Sequence, residues 1–211
     1  MNADLYSQAK PVFWLDRLAT LRAGVSPAPV HVQLVLSDLC NQGCGFCAYR
    51  MTSGLSNELF PQGTRRNPQR MITTAKAREI IDDCATLGVQ AIQFTGGGEP
   101  TVHPDHLALF AHAQAHGIAT ALVTNSVALD TTHPAVHAMS WIRVSVDAGT
   151  PQTYAATRRV APRHWATVWN NVAHLAQRCT GTVSVGFVVT PENFRELPAA
   201  CELAQLAGVA N

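Results

Sequence analysis

Residues 73–100 read TTAKAREIIDDCATLGVQAIQFTGGGEP, and the fold is decided by how this stretch is parsed. Its first part, 73–87, carries a helical pattern, with Thr73 or Thr74 placed to cap it and Gly88 to stop it. AIQF (91–94) follows at once as a short buried strand, which breaks into a glycine run. One helix thus delivers the chain directly into one strand. The same alternation extends in both directions. Upstream, VHVQLVL (30–36) is a β-type run ending in a cysteine-rich loop. Downstream, helices are predicted at 104–116, near 133–139, at 163–178 and at 192–207. Strands are predicted at 118–123, 141–147 and 183–189. Strands that alternate with helices pair in parallel through right-handed crossovers, so the chain is α/β.

Such a pattern fits either a doubly wound sheet or a closed or partial β/α barrel. The unusual loops decide for the barrel, because each follows the carboxyl end of a strand, where β/α barrels place their active sites. The expected architecture is a partial, TIM-like β/α barrel over residues 26–211, preceded by a helical extension over 1–25. In that extension Leu5, Val12, Trp14, Leu15, Leu18 and Leu21 suggest a helix packed on the barrel. The closing LAQLAGVAN repeats the rhythm of CATLGVQAI and stops where a sixth strand should begin. This reads as a fragment of a longer barrel, the alternative being a fifth strand left as a bare edge.

Bulk composition narrows the function. Charged residues make up 14% of 211, well below the roughly 25% of an average soluble domain, so much surface is expected to be covered. Fifteen basic and fourteen acidic side chains give a formal charge of +1, which supplies no field for nucleic acid or a membrane surface. Asp4, Lys10, Asp16 and Arg17 interrupt any signal-peptide core, and no run of apolar residues is long enough to span a bilayer. A cytoplasmic protein is expected, and its six cysteines then read as ligands or buried thiols rather than disulfides.

CNQGCGFC, residues 40–47, carries the chemistry. Cys40, Cys44 and Cys47 can each bind one iron of a cubane cluster, with Gly43 and Gly45 letting the backbone wrap. The fourth iron is left open for an exogenous ligand, unlike an electron-transfer cluster with four cysteines. A zinc site is the alternative, although it usually takes four protein ligands or three plus water.

This C-x3-C-x-aromatic-C pattern resembles the signature of the radical S-adenosylmethionine (SAM) superfamily, and the resemblance runs over about 30–210. It implies a [4Fe–4S] cluster on Cys40, Cys44 and Cys47, with Phe46 near the adenine of SAM. It also likens Gly96-Gly97-Gly98-Glu99-Pro100 to the motif that holds the SAM amino group, in which Gly97, Gly98 and Glu99 are the candidates. Asn125 in Thr124-Asn125, Ser145 at the end of the fourth strand and Val188 in GFVVT are further SAM-contact candidates. Asp147 is a strand-end residue that caps a turn or touches ligand. Arg158 or Arg159 is placed to meet the SAM carboxylate or to form a surface salt link.

The implied reaction is reductive cleavage of SAM to a 5′-deoxyadenosyl radical that abstracts hydrogen from an unidentified small molecule or peptide. Flavodoxin or ferredoxin is the expected type of electron donor. The likeness is greatest to the molybdenum-cofactor cyclase and SPASM/Twitch branch. A non-catalytic iron–sulfur or SAM-binding module is the alternative function. Cys84, Cys179 and Cys201 read as small buried hydrophobes, while His112, His116, His133 and His137 read as exposed or capping groups. His103, beside GGGEP, is the one histidine singled out for function. The connection 48–72, with Arg65, Arg66 and Arg70, reads as a solvated or substrate-covering loop.

Overall fold

The computed structural model describes residue 6 and residues 9–49 and 70–209. Five parallel strands stand in chain order: β1 (His31–Val35), β2 (Ala91–Thr95), β3 (Ala119–Thr124), β4 (Trp141–Ser145) and β5 (Thr182–Gly186). Among the described residues no order reversal occurs, and so there is no topological switch point of a doubly wound sheet. The helices are α1 (Lys10–Phe13), α2 (Leu15–Arg22), α3 (Thr74–Thr86), α4 (His106–Ala115), α5 (Pro134–His137), α6 (Pro151–Arg158), α7 (Arg163–Arg178) and α8 (Leu197–Leu206). Among the described residues, no helix is long and apolar enough to cross a membrane.

Alternation sorts the strands into two faces. Leu34, Ile92, Phe94, Leu122, Ile142, Val144 and Val183 are buried in the main core, beneath Ile81, Leu109, Phe110, Val172 and Leu175 of the helices. The opposite face carries Gln33, Gln93, Val123, Trp141, Arg143 and Ser184, a mostly polar set. Cross-links show that the sheet curls around this polar face. In a flat sheet β1 and β4 would stand about 14 Å apart. Yet the Tyr6 ring lies 5.5 Å from His31 of β1 and 6.0 Å from Trp141 of β4, centroid to centroid. At the other end of the strands, Gln42 after β1 donates to the Tyr154 hydroxyl after β4 at 2.9 Å. The arrangement is a partial β/α barrel.

Local signals placed most of these elements. Thr73 caps α3, its hydroxyl accepting from the Lys76 amide at 3.2 Å, and Gly88 ends that turn at φ +74°. The sequence pattern missed α6. Its start is a Thr150 cap followed by Pro151 in the first turn, a legible signal masked by the polar composition of QTYAATRR. The N-terminal helices form, but α2 buries none of its residues. Val12, Phe13 and Leu15 are exposed by 55–67%, so the expected packing of this helix on the barrel is absent among the described residues. Tyr6 makes that contact instead, and burial pushes its hydroxyl up to about 12. Arg65 and Arg66 lie outside the described residues; Arg70 pairs with Asp38 at 3.5 Å.

Candidate active site

The cysteine loop begins where β1 leaves the sheet, and its backbone is held from two sides. On one side Gly98 N–H donates to the Ser37 carbonyl at 3.1 Å and Glu99 N–H to the Leu39 carbonyl at 2.8 Å. On the other, Gly43 and Gly45 donate to the carbonyls of Arg158 and Thr157, both at 3.0 Å. Cys40, Cys44 and Cys47 are half-buried. Burial pushes the Cys44 thiol up, while the Arg158 guanidinium pulls the other way.

Gly98 is glycine for a steric reason. A Cβ there would stand 2.1 Å from the Leu39 carbonyl oxygen, so the two loops approach backbone to backbone. Beside it Glu99 is 3% exposed. Its Oε1 accepts from the Thr101 amide (3.2 Å), the Thr101 hydroxyl (2.9 Å) and the Thr124 hydroxyl (2.5 Å), and its Oε2 accepts from the Asn125 amide (2.7 Å). Burial pushes Glu99 above the ordinary carboxylate range, opposed by these donors, Asn125 foremost. Glu99 therefore acts as a brace tying the glycine loop to the end of β3. Asn125 continues the link, its Nδ2 donating to Asn41 Oδ1 at 2.7 Å inside the cysteine loop.

A second buried assembly joins β4 and α6 to the cysteines. Asp147, 1% exposed and at φ +49°, pairs with Arg158, which is 4% exposed. Arg158 also donates to Gln42 Oε1 at 2.8 Å and lies over the rings of Tyr154 (5.7 Å) and Phe46 (5.9 Å). Its Nε–H is buried without an acceptor. Asp147 Oδ1 accepts from the Val188 amide at 2.6 Å. Burial raises the Asp147 carboxyl, and Arg158 holds it down. The surface salt link envisaged for this arginine is instead a buried ion pair, because α6 turns its last residue back under the cysteine loop.

One cavity of about 290 Å³ brings together Cys40, Cys44, Cys47, Phe46, Gly97, Gly98, Glu99, Asn125, Ser145 and Arg158. Val188 does not line it; its side chain is 47% exposed, and its backbone rather than its side chain joins the network. Arg159 sits at φ +54° beside Gly45 in a separate groove with Thr157 and Glu192. His103 has a structural part: it is 1% exposed, its Nδ1 accepts from the Asp105 amide, and its Nε2 meets the Ile72 carbonyl at 2.9 Å. Of the remaining cysteines, Cys84 is buried and Cys179 half-buried, but Cys201 is exposed, against the expectation of a buried thiol.

A β/α half-barrel whose strand-end loops gather three cysteines, a glycine run and a buried glutamate into one cavity defines a class: an α/β core with a soft, metal-ligating donor set at its strand ends. Residues 34–204 match the Radical SAM superfamily. The chain belongs to that superfamily, a family of enzymes whose cofactors are a [4Fe–4S] cluster and SAM. It is 28% identical over 184 residues to the mycofactocin maturase MftC of Mycobacterium ulcerans, covering 86% of this chain and 46% of the relative. It is 32% identical over 104 residues to the PqqA peptide cyclase of Xanthomonas euvesicatoria, covering 49% of this chain and 24% of the relative. In fold it is similar to Streptococcus suis SuiB bound to the precursor peptide SuiA, with TM-score 0.69 and 16% identity over 92% of this chain and 41% of that one. The chain thus spans less than half the length of these proteins. Family membership favours the cluster over the zinc alternative for the three thiols.

Proposed function

We propose that this chain is the radical-generating part of an enzyme that modifies a peptide or another carboxylate-bearing substrate. The observation that carries the reading is the single cavity on which the three thiols, Gly97, Gly98, Glu99, Asn125 and Ser145 converge. Soft thiolates suit iron–sulfur ligation, and in this reading Cys40, Cys44 and Cys47 hold the cluster. When bound, cluster and SAM together supply one-electron reductive cleavage of the sulfonium to a 5′-deoxyadenosyl radical, which takes a hydrogen atom from the substrate.

The chain's own residues orient and enclose. Backbone at Gly97 and Gly98 receives the SAM ammonium, with Glu99 bracing the glycine loop at the cavity wall. Arg158 supplies the guanidinium for the SAM carboxylate, supported by its place on the cavity wall and its unpartnered Nε–H. Phe46 packs near the adenine. A one-electron donor of the flavodoxin or ferredoxin type supplies the reducing equivalent.

Support for the substrate class comes from the polar inner face. Arg143 pairs in register with Val123, which lines the cavity. Its guanidinium lies over Trp141 at 5.6 Å and has no carboxylate partner within salt-bridge distance among the described residues. Gly186 leaves room for it, since a Cβ there would come within 3.3 Å of Arg143 Cδ. Peptide relatives such as PqqA peptide cyclase favour the same class.

The test is anaerobic reconstitution with iron and sulfide, reduction with dithionite and assay of SAM conversion to 5′-deoxyadenosine. Turnover that disappears on Cys44→Ala supports the reading. A full cluster with no SAM cleavage opposes it and favours a non-catalytic module.

A further inference from the structure

On the helix layer outside the sheet, α3 and α4 pack side by side, and three donor atoms meet between them. His112 and His116 stand one turn apart on α4, the spacing that puts two side chains on one helix face. Their Nε2 atoms lie 2.7 and 2.9 Å from the same Oδ1 of Asp82 on α3. The two rings are 4.9 Å apart, centroid to centroid, and nearly perpendicular at 87°. All three donor atoms lie within 4.8 Å of one another. None of the three lines the cysteine cavity. Sequence spacing alone offered no acidic partner for this histidine pair; the fold brings Asp82 to it from the neighbouring helix.

We propose that Asp82, His112 and His116 form a binding site for a divalent transition-metal ion of the zinc class, clamping α3 to α4. Two neutral imidazoles and one carboxylate are a nitrogen-rich borderline donor set, which suits zinc, copper or nickel and disfavours the oxygen-seeking calcium and magnesium. Three protein ligands leave a position for water, as in open zinc sites. With bonds near 2.0–2.1 Å, tetrahedral donors sit roughly 3.3 Å apart, slightly wider than the hydrogen-bonded spacing here. Asp82 and His116 are exposed and His112 is half-buried, so the ligands can separate by that amount.

The ion would also change the tautomers. Each imidazole bound through Nε2 must carry its proton on Nδ1. In the metal-free form Arg78 Nη1 lies 3.2 Å from His112 Nδ1 and donates to it. An N–H at that atom would face the guanidinium donor, so the exposed Arg78 side chain must swing away. This gives the site a built-in competitor, and the removal of Arg78 has the opposite sign to the removal of a ligand.

The experiment uses the full chain after anaerobic cluster assembly, so that Cys40, Cys44 and Cys47 are occupied. Zinc is titrated against a chromophoric chelator, with bound zinc and iron counted by elemental analysis. The expected result is one zinc per chain beyond the cluster, bound in the micromolar range. His116→Gln and Asp82→Asn should each weaken it by about tenfold or more, while Arg78→Ala tightens it. Zinc should raise the unfolding temperature of the wild type and leave that of His116→Gln unmoved. No zinc beyond the cluster, or equal binding by wild type and both ligand variants, overturns the proposal. Side chains this exposed can be replaced without unfolding the chain, and retained iron in each variant verifies it.

Discussion

Replacing Arg158 by Met tests the buried assembly beneath the cysteine loop. The change leaves Asp147, 1% exposed, as a buried carboxylate with only the Val188 amide at 2.6 Å directed at its side chain. It also removes the 2.8 Å bond to Gln42. Breaking a buried pair from one side costs about 3–5 kcal/mol, most of it the stranded charge. With an m value of about 2 kcal/mol/M in urea for a chain of this size, the unfolding midpoint should fall by about 2 M. An exposed pair gives the contrast: Lys76–Glu79 is closed at 2.6 Å with side chains 55% and 59% exposed, and Lys76→Ala should move the midpoint by less than about 0.3 M.

The penalty should also depend on pH. Burial already raises Asp147 above its ordinary value, and losing Arg158 raises it further. The native variant then holds a proton that the unfolded chain releases, so its stability falls as pH rises from about 4, the unfolded carboxylate value. The difference from wild type is therefore smaller at pH 5 than at pH 8. The double variant Asp147→Asn/Arg158→Met should recover much of the loss, because Asn tolerates φ +49° and strands no charge. Urea titrations of cluster-loaded protein, followed by far-ultraviolet circular dichroism, provide the measurement. A midpoint shift below about 0.5 M, or a double variant no better than the single one, would refute the buried-pair reasoning.

Other perturbations give separate readouts. Gly98→Ala drives a Cβ to within 2.1 Å of the Leu39 carbonyl, so the cysteine loop must retreat; cluster iron should be lost while circular dichroism keeps its helical signal. Glu99→Gln puts an amide N–H against the Asn125 or Thr101 amide and should cost about 1–3 kcal/mol, read as a lower melting temperature. Because burial raises Glu99, native protein binds its proton above the unfolded carboxylate range, and stability falls with rising pH until the raised value is passed. Glu99→Gln should remove that slope from a stability–pH curve. In cluster-loaded protein, iodoacetamide should label Cys201, which is exposed, before Cys84 and before Cys179, whose thiol burial pushes up to about 11; peptide mapping reads the order.

Sequence reading reached most of the frame because the frame rests on local signals. Periodicity, Gly88 and the Thr73 cap define α3 without any tertiary information. CNQGCGFC and GGGEP carry their chemistry in consecutive residues, so Cys40, Gly98 and Glu99 could be named before the fold was known. Arg158 could not be placed in that way. Its importance comes from α6, a helix with a polar composition, and from partners at positions 42 and 147 that no spacing rule joins. Val188 shows the converse limit: a residue can be singled out by likeness to a motif, yet here it lies past the end of β5 and its amide rather than its side chain enters the network. Asp82 meets His112 and His116 only because two helices pack in a particular register.

The two-sided clamp on the cysteine loop has a consequence for the order of biogenesis. Gly43 and Gly45 rest on carbonyls of Thr157 and Arg158, so the loop cannot take its final shape until the chain has been synthesised past α6. Domains made on the ribosome tend to fold from the N-terminal side. Here the earliest cysteines to emerge wait for a helix more than a hundred residues later, since Gln42 and Arg158 are separated by 116 positions. Three thiols therefore leave the ribosome unsheltered well before their pocket exists, and iron delivered in that interval would meet a loop still free to bind it in other ways.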